Sequence, residues 1–455
     1  MRAAAPMHRL ALPIRAGVLT LVLLALFAGR PQAKVFEPET FTLDNGLEVV
    51  VIANRRAPIV THMVYYKVGA ADETPGESGL AHFLEHLMFK GTEALGPGEF
   101  SEIIAANGGT ENAFTSSDYT GYYQTVARDR LEIVMKHEAD RMVNLRLSDE
   151  LVDPEREVVL EERRSRIGNE PGSQLWEMIG ATMFLNHPYR RPVIGWEHEI
   201  RRLSTEGALA FYRRWYAPNN AILIVAGDVS AAEVKPLAER YYGVIPRDEV
   251  PERNRVEEPP QHAARSVTLE SEQVRQPSFS ISYLAPSYNK DAGRHAYALQ
   301  VLDDIMGGGA TSRLYRALIV EQGLAASAGT HYDASSLDLT TFVFRASPRI
   351  GIEVDALEAA LRAEIARVLS EGVSEAEVTA SKRRLKALAV YARDSLSTGA
   401  RVIGAALTTG QSVEDVEAWP ERIDAVTAAQ VNEAAKALVR DTHSVTAYLL
   451  PKPTT

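Results

Sequence analysis

His82-Phe83-Leu84-Glu85-His86 places two imidazoles and a carboxylate inside one short run of helix-forming residues. Residues four apart share a helix face, so His82 and His86 can point at one metal ion from consecutive turns. Glu85 stands one residue off that stripe and can reach a water at the same ion, the H-x-x-E-H arrangement. Leu80, Phe83, Leu84 and Leu87 supply an apolar stripe, Glu77-Ser78-Gly79 offers a helix start and Gly91 a helix end. Two histidines beside an apolar run can also be packing residues with satisfied ring nitrogens, and a third ligand is what separates the two readings.

Cysteine cannot supply that ligand, because the chain has none. An acidic candidate lies further on. Asp153-Pro154 reads as an N-cap and first turn, opening a helix through Glu155-Arg156-Glu157-Val158-Val159-Leu160-Glu161-Glu162-Arg163. Glu155 and Glu162 are one heptad apart and share a face, yet charge-rich helices of this kind are ordinarily solvated surfaces. The spacing therefore leaves the third ligand open. Two histidines, one carboxylate and an open coordination position favour zinc, whose chemistry suits peptide hydrolysis by activating water and polarising a carbonyl. In such a centre Glu85 is the general base, then the general acid, and is not itself a ligand.

The chain resembles the pitrilysin and mitochondrial processing peptidase family of inverted-zincin zinc metallopeptidases, in its bacterial processing-peptidase-like branch. The resemblance is carried by Gly79 to Thr92, by Asn112-Ala113-Phe114-Thr115, by Glu155 through Glu162, and by Tyr216-Ala217-Pro218-Asn219-Asn220 leading into Gly227-Asp228-Val229. It implies that Glu162 is the third zinc ligand and that Glu155 supports a ligand from outside the coordination sphere. It also implies that the strand around Asn112, Ala113 and Phe114 lies beside the zinc at a sheet edge, where an extended peptide adds to it as a further strand. On the residues alone, Gly108-Gly109 reads as a turn and the following Thr, Phe and Tyr as an ordinary strand.

The mature chain repeats itself. Pro58 to Thr92 has a counterpart in Gln276 to Thr311, and aligning Gly91 with Gly307 puts Ala298, Val301 and Leu302 where His82, Glu85 and His86 stand. Phe211 to Val229 likewise resembles Val431 to Leu450. Each half mixes amphipathic helices with alternating strands, which predicts an α+β fold of two homologous domains, each a largely antiparallel sheet with helices packed on it. By resemblance the two face each other as a clamshell around a peptide chamber. The expected divisions are a signal peptide over 1–33, a zinc-bearing domain over 34–246, a charged and proline-rich linker over 247–264, and a metal-free domain over 265–455.

Arg2, Arg9 and Arg15 precede the apolar run Ala16 to Gly29, and Ala33 offers a cleavage point. That run is short for a membrane span, which needs about 20 residues. The reading is an exported chain with no stable span, periplasmic in a Gram-negative source. A formal charge of −11 and the lack of a basic run argue against nucleic acid. The length of 455 residues with 45% hydrophobic content is ample for two cores.

One departure matters. Many family members carry an arginine and a tyrosine seven apart in the second half, in a stretch like L-R-E-x-x-G-L-A-Y. Here Leu318 to Ala326 puts Ile319 and Ala326 at those positions, and neither can donate to an oxyanion. The resemblance then implies a heterodimer in which this chain brings the zinc and a homologous partner the Arg/Tyr pair. Arg313, Tyr315 or Tyr332 is the substitute if a single chain suffices. The expected function is zinc-dependent endopeptidase action on extended peptides, set against a noncatalytic assembly subunit that keeps the fold. Two weaker signals are read conservatively: His187 beside Pro188 as structural, and Gly307-Gly308-Gly309 as no phosphate loop, since it lacks the Lys-Ser/Thr ending.

Overall fold

The computed structural model describes residues 35–453; the expected signal segment lies outside the described residues. Among them, no helix is long and apolar enough to cross a membrane.

Two sheets carry the fold. The first contains β1 (Glu39–Thr42), β2 (Glu48–Ala53), β3 (Ile59–Tyr66), β4 (Thr110–Thr115), β5 (Thr120–Ala127) and β6 (Ala221–Gly227), in the order β1-β2-β6-β3-β5-β4. The second contains β7 (Arg265–Ser271), β8 (Ser278–Ala285), β9 (Ala325–Tyr332), β10 (Thr340–Pro348) and β11 (Ser444–Pro451), in the order β7-β11-β8-β10-β9. Leaving β1 aside, the two orders are the same. Each has one parallel pair, β2 with β6 and β11 with β7, at the same place among antiparallel neighbours. The sequence repeat is thus a repeat of topology, and β4 and β9 are equivalent edges.

The central strands are apolar on both faces, as in Ala221-Ile222-Leu223-Ile224-Val225-Ala226-Gly227, because both faces are covered. On one face Val49, Val51, Val60 and Val64 pack against helices of the same half, including Leu80–Leu87 and Leu131–Val143. On the other, Val50, Ile52, Met63, Tyr65, Ile222 and Ile224 pack against Ala400, Ile403 and Leu407 of the helix Leu396–Thr408, which belongs to the second half. The exchange is reciprocal. Leu175 and Ile179, on the first-half helix Pro171–Met183, pack against Val267, Leu269, Ala447 and Leu449 of the second sheet. The second face of each sheet thus takes its cover from the other half.

The connector also differs from an open linker. Residues 246–262 form neither helix nor strand, but the Arg255 side chain is only 5% exposed and pairs with Asp72 at 2.9 Å and with Asp118. Asp118 also accepts the Tyr189 hydroxyl at 2.7 Å and the Leu337 N–H at 3.1 Å. Arg253 donates to the carbonyls of Asp118 and Thr408. The connector therefore ties the turn after β4 to the second half.

The helix expected to open at Asp153-Pro154 begins a turn earlier, and spans Asp149–Arg163. Ser148 is extended at φ −132° and ψ 164°, and Asp149 and Glu150 fill the first turn, where carboxylates complement the helix dipole. Those signals outrank the later pair. Asp153 bonds Arg156 at 2.9 Å and Pro154 is accommodated in the second turn. The single strand read over the 108–120 segment resolves into β4, a turn at Ser116 to Tyr119, and the start of β5.

Candidate metal centre

The helix Leu80–Leu87 is only two turns long and is almost entirely buried. It starts at Gly79, whose φ of +90° and contact with the Ile194 carbonyl, 2.5 Å from where a Cβ would sit, leave room for glycine alone. His82 and His86 project from it toward Glu162, in the last turn of Asp149–Arg163. One ligand atom from each of the three residues lies within 4.8 Å of the other two. Glu162 Oε2 is 3.2 Å from His86 Nε2 and 3.6 Å from His82 Nε2.

This donor set fits a divalent cation. Glu162 Oε2 is buried and accepts no hydrogen bond, although two imidazole nitrogens surround it. Its other oxygen is taken by Arg166 at 2.8 Å, which leaves Oε2 as the free ligand atom. Burial, reinforced by neighbouring His86, lowers the His82 pKa to about 4 against the opposing pull of Glu162, so its ring is neutral at neutral pH. Burial also opposes charge on His86, but its hydrogen bond to Glu155 and the closeness of the Glu162 carboxylate outweigh it and raise the pKa to about 9. Glu162 is held below the ordinary carboxylate range, first by the His86 ring beside it and against burial. A cation held by these three groups would take the place of a proton there.

Glu155 does not join the cluster. Its Oε1 lies 2.8 Å from His86 Nδ1, and its Oε2 pairs with Lys90. A carboxylate on the far nitrogen of an imidazole fixes the ring and leaves Nε2 for a metal. Glu85 is likewise outside the cluster, 8% exposed, with Oε2 accepting from the Thr115 hydroxyl at 2.5 Å. Burial raises its pKa, against the Thr115 hydrogen bond and nearby His86. A carboxylate of raised proton affinity beside such a ligand set could take a proton from a water held there.

Thr115 ends β4, the outermost strand of its sheet, and no described strand pairs with the outer edge of β4. Asn112 is exposed, and Ala113 is half-buried against the core under the metal helix. Phe114 turns to the opposite face, edge-on to Tyr65 at 5.5 Å and 5.0 Å from the Arg401 guanidinium. The Tyr216 to Asn220 stretch is internal: the Tyr216 hydroxyl meets that of Tyr122 at 2.9 Å and Asn220 donates to the Trp215 carbonyl.

In the second half, Ala298, Val301 and Leu302 are buried in its core. Ile319 packs against that core and Ala326 is exposed on β9. The Arg313 guanidinium grips Glu377 through two hydrogen bonds, at 2.6 Å and 2.9 Å, and the Tyr332 hydroxyl donates to the Pro286 carbonyl. His187 is buried, 3.2 Å from Asp338, and Gly307 fits closely against Thr330. Sequence reasoning missed Thr115, Lys90 and Arg166 as neighbours of the site. Only Arg166 had a readable signal, its i,i+4 spacing from Glu162.

A repeated α+β fold with a two-histidine, one-glutamate cluster beside a free sheet edge defines the class as that of the metallopeptidases built from paired sheets. Residues 48–196 match the insulinase family, peptidase family M16, and residues 202–385 match the peptidase M16 inactive domain. The chain is 29% identical to the zinc protease PqqE of Helicobacter pylori over 95% of this chain and 98% of that protein. It is 31% identical to an uncharacterized zinc protease of Mycobacterium leprae over 88% of each. The crystal structure of a protease from Helicobacter pylori superposes with a TM-score of 0.85 at 29% identity, covering 91% of this chain and 99% of that one. The chain belongs to peptidase family M16.

Proposed function

We propose that the protein is a zinc-dependent endopeptidase that hydrolyses extended peptides. The observation that carries this reading is the convergence of His82, His86 and Glu162 on one point while Glu85 stays outside the cluster, bonded to the edge strand through Thr115. When bound there, zinc supplies Lewis acidity toward the scissile carbonyl and acidifies water. Glu85 takes the proton of the attacking water and passes it to the leaving amine. Glu155 holds the His86 ring, and Arg166 keeps one Glu162 oxygen occupied. The outer edge of β4, at Asn112, Ala113 and Phe114, pairs with the main chain of the substrate, which selects extended chains with little demand on sequence. A noncatalytic assembly role gives no reason to keep Glu85 beside an intact ligand set. Glu85→Gln is expected to keep zinc and fold while turnover falls at least a hundredfold, about the share of general acid–base catalysis. Unchanged hydrolysis of an unstructured peptide contradicts the reading.

The same reading includes a homologous partner subunit bearing the Arg/Tyr pair. Ile319 and Ala326 have no donor, Arg313 is committed to Glu377 and Tyr332 to Pro286. The domain divisions at 34–246, 247–264 and 265–455 and export to the periplasm through residues 1–33 are part of it. Full peptidase activity of the purified chain, free of any homologue, removes the heterodimer.

A further inference from the structure

The metal helix lacks a side chain to cap its own start. Gly79 occupies the N-cap position, so the free N–H groups of the first turn need an acceptor from elsewhere. Glu73 provides it. Gly79 N–H donates to Glu73 Oε2 at 3.1 Å and Ala81 N–H donates to Oε1 at 2.9 Å. The side chain comes from the turn before the helix and is 4% exposed. Burial pushes its carboxyl group up to about 8, against the Ala81 N–H, Arg191 and the Gly79 N–H.

The backbone around Glu73 is itself held on both sides. The Glu73 carbonyl accepts from Arg191 at 3.0 Å, and neighbouring Asp72 receives three hydrogen bonds from Arg255, two at Oδ1 (2.9 and 3.0 Å) and one at Oδ2 (3.0 Å). The turn that carries Glu73 is thereby tied to the connector between the halves. A helix of two turns is marginal by its own propensity, since nucleation is unfavourable and few bonds follow it. Its rotation about its axis decides where both imidazoles point, and metal coordination tolerates errors of only about 0.2 Å.

We infer that Glu73 is a positioning residue of the metal centre: its two oxygens clamp the N-terminus of Leu80–Leu87 and set the rotation at which His82, Glu85 and His86 are presented. The inference rests on the zinc reading of that site. It separates Glu73 from an ordinary buried polar residue, whose loss lowers stability without changing what the folded protein binds.

The test uses the full chain with Glu73→Gln, which keeps the volume but offers an N–H₂ to one of the two N–H donors, and Glu73→Ala. Zinc affinity is read by chelator competition, the apo-protein Tm by circular dichroism, and kcat and KM for an unstructured peptide at saturating zinc. For Glu73→Gln the expected result is a zinc Kd raised about tenfold or more, the loss typical when a ligand's support is removed. Its kcat is lowered with KM little changed, and the apo Tm stays within a few degrees of wild type. Should Glu73→Ala fail to fold, Glu73→Gln alone decides. Wild-type zinc affinity and kcat in Glu73→Gln overturn the inference, as does a fall in apo Tm with zinc affinity intact. A wild-type chain that binds no zinc overturns the site reading beneath it, and the two failures are told apart in the same titration.

Discussion

Glu162 shows how far a residue's role can be read from chain order. Its distance along the sequence from His86 says nothing by itself, because two helices and two strands intervene before the chain returns to the site. The H-x-x-E-H pentamer was legible because its partners are local and its spacing is that of a helix face; Glu162 was named only through family resemblance, since Glu155 stands on the same face. The structure divides them by what each touches, Glu155 on His86 Nδ1 and Glu162 Oε2 on both Nε2 atoms. A second pair illustrates residue-scale electrostatics. Glu377 is drawn down to about 2, first by its hydrogen bond from Arg313 and against partial burial, from the ordinary value of 4.5. A depressed carboxyl stabilises the folded state fully above the unfolded value, and that contribution fades as pH falls from about 4.5 toward 2. Urea unfolding should therefore show Glu377→Gln less stable than wild type at pH 7, with the gap narrowing by pH 3. A gap independent of pH contradicts the assignment.

At the scale of elements, the helix Leu131–Val143 braces the sheet under the metal helix with charge rather than with apolar packing alone. Arg141, its side chain 2% exposed, bonds Glu138 at 2.6 Å, and Glu138 accepts from Gln124, which meets His62 at 2.9 Å. Phe89, Phe100 and Tyr122 surround the guanidinium at 5.1, 5.3 and 4.5 Å from their ring centroids. Removing one member of a buried pair leaves the other uncompensated, at a cost of roughly 3–5 kcal/mol. Arg141→Ala is expected to lose stability of that order in equilibrium urea unfolding, and a loss below about 1 kcal/mol contradicts the account. Nothing in the sequence announced this cluster: Glu138 and Arg141 look like an i,i+3 surface pair until β3 and β5 are placed over them. The start of the metal-bearing helix after Gly79 was legible, whereas the helix read from Asp153-Pro154 in fact starts after Ser148 with its acidic first turn, and the 108–120 segment holds a turn between two strands.

Across the whole molecule, the repeat in the sequence correctly gave two similar halves but not the way they interleave. Helix Leu396–Thr408 covers the first sheet and helix Pro171–Met183 the second, so each half exposes an apolar face without the other. An amphipathic helix carries no mark of which sheet it will serve. The consequence is a single cooperative unfolding transition for the chain, and a first half, 35–246, that aggregates or stays molten when expressed alone. A folded, monomeric first half on size exclusion with native-like near-ultraviolet dichroism contradicts the interleaving as a source of stability. The central claim, that two neighbouring imidazoles and one distant acid hold a cation which Glu85 does not touch, is tested most directly by zinc content per chain after dialysis. The account predicts about one zinc in wild type and in Glu85→Gln, and a large loss in Glu162→Gln; a Glu162→Gln chain that retains zinc like wild type contradicts it.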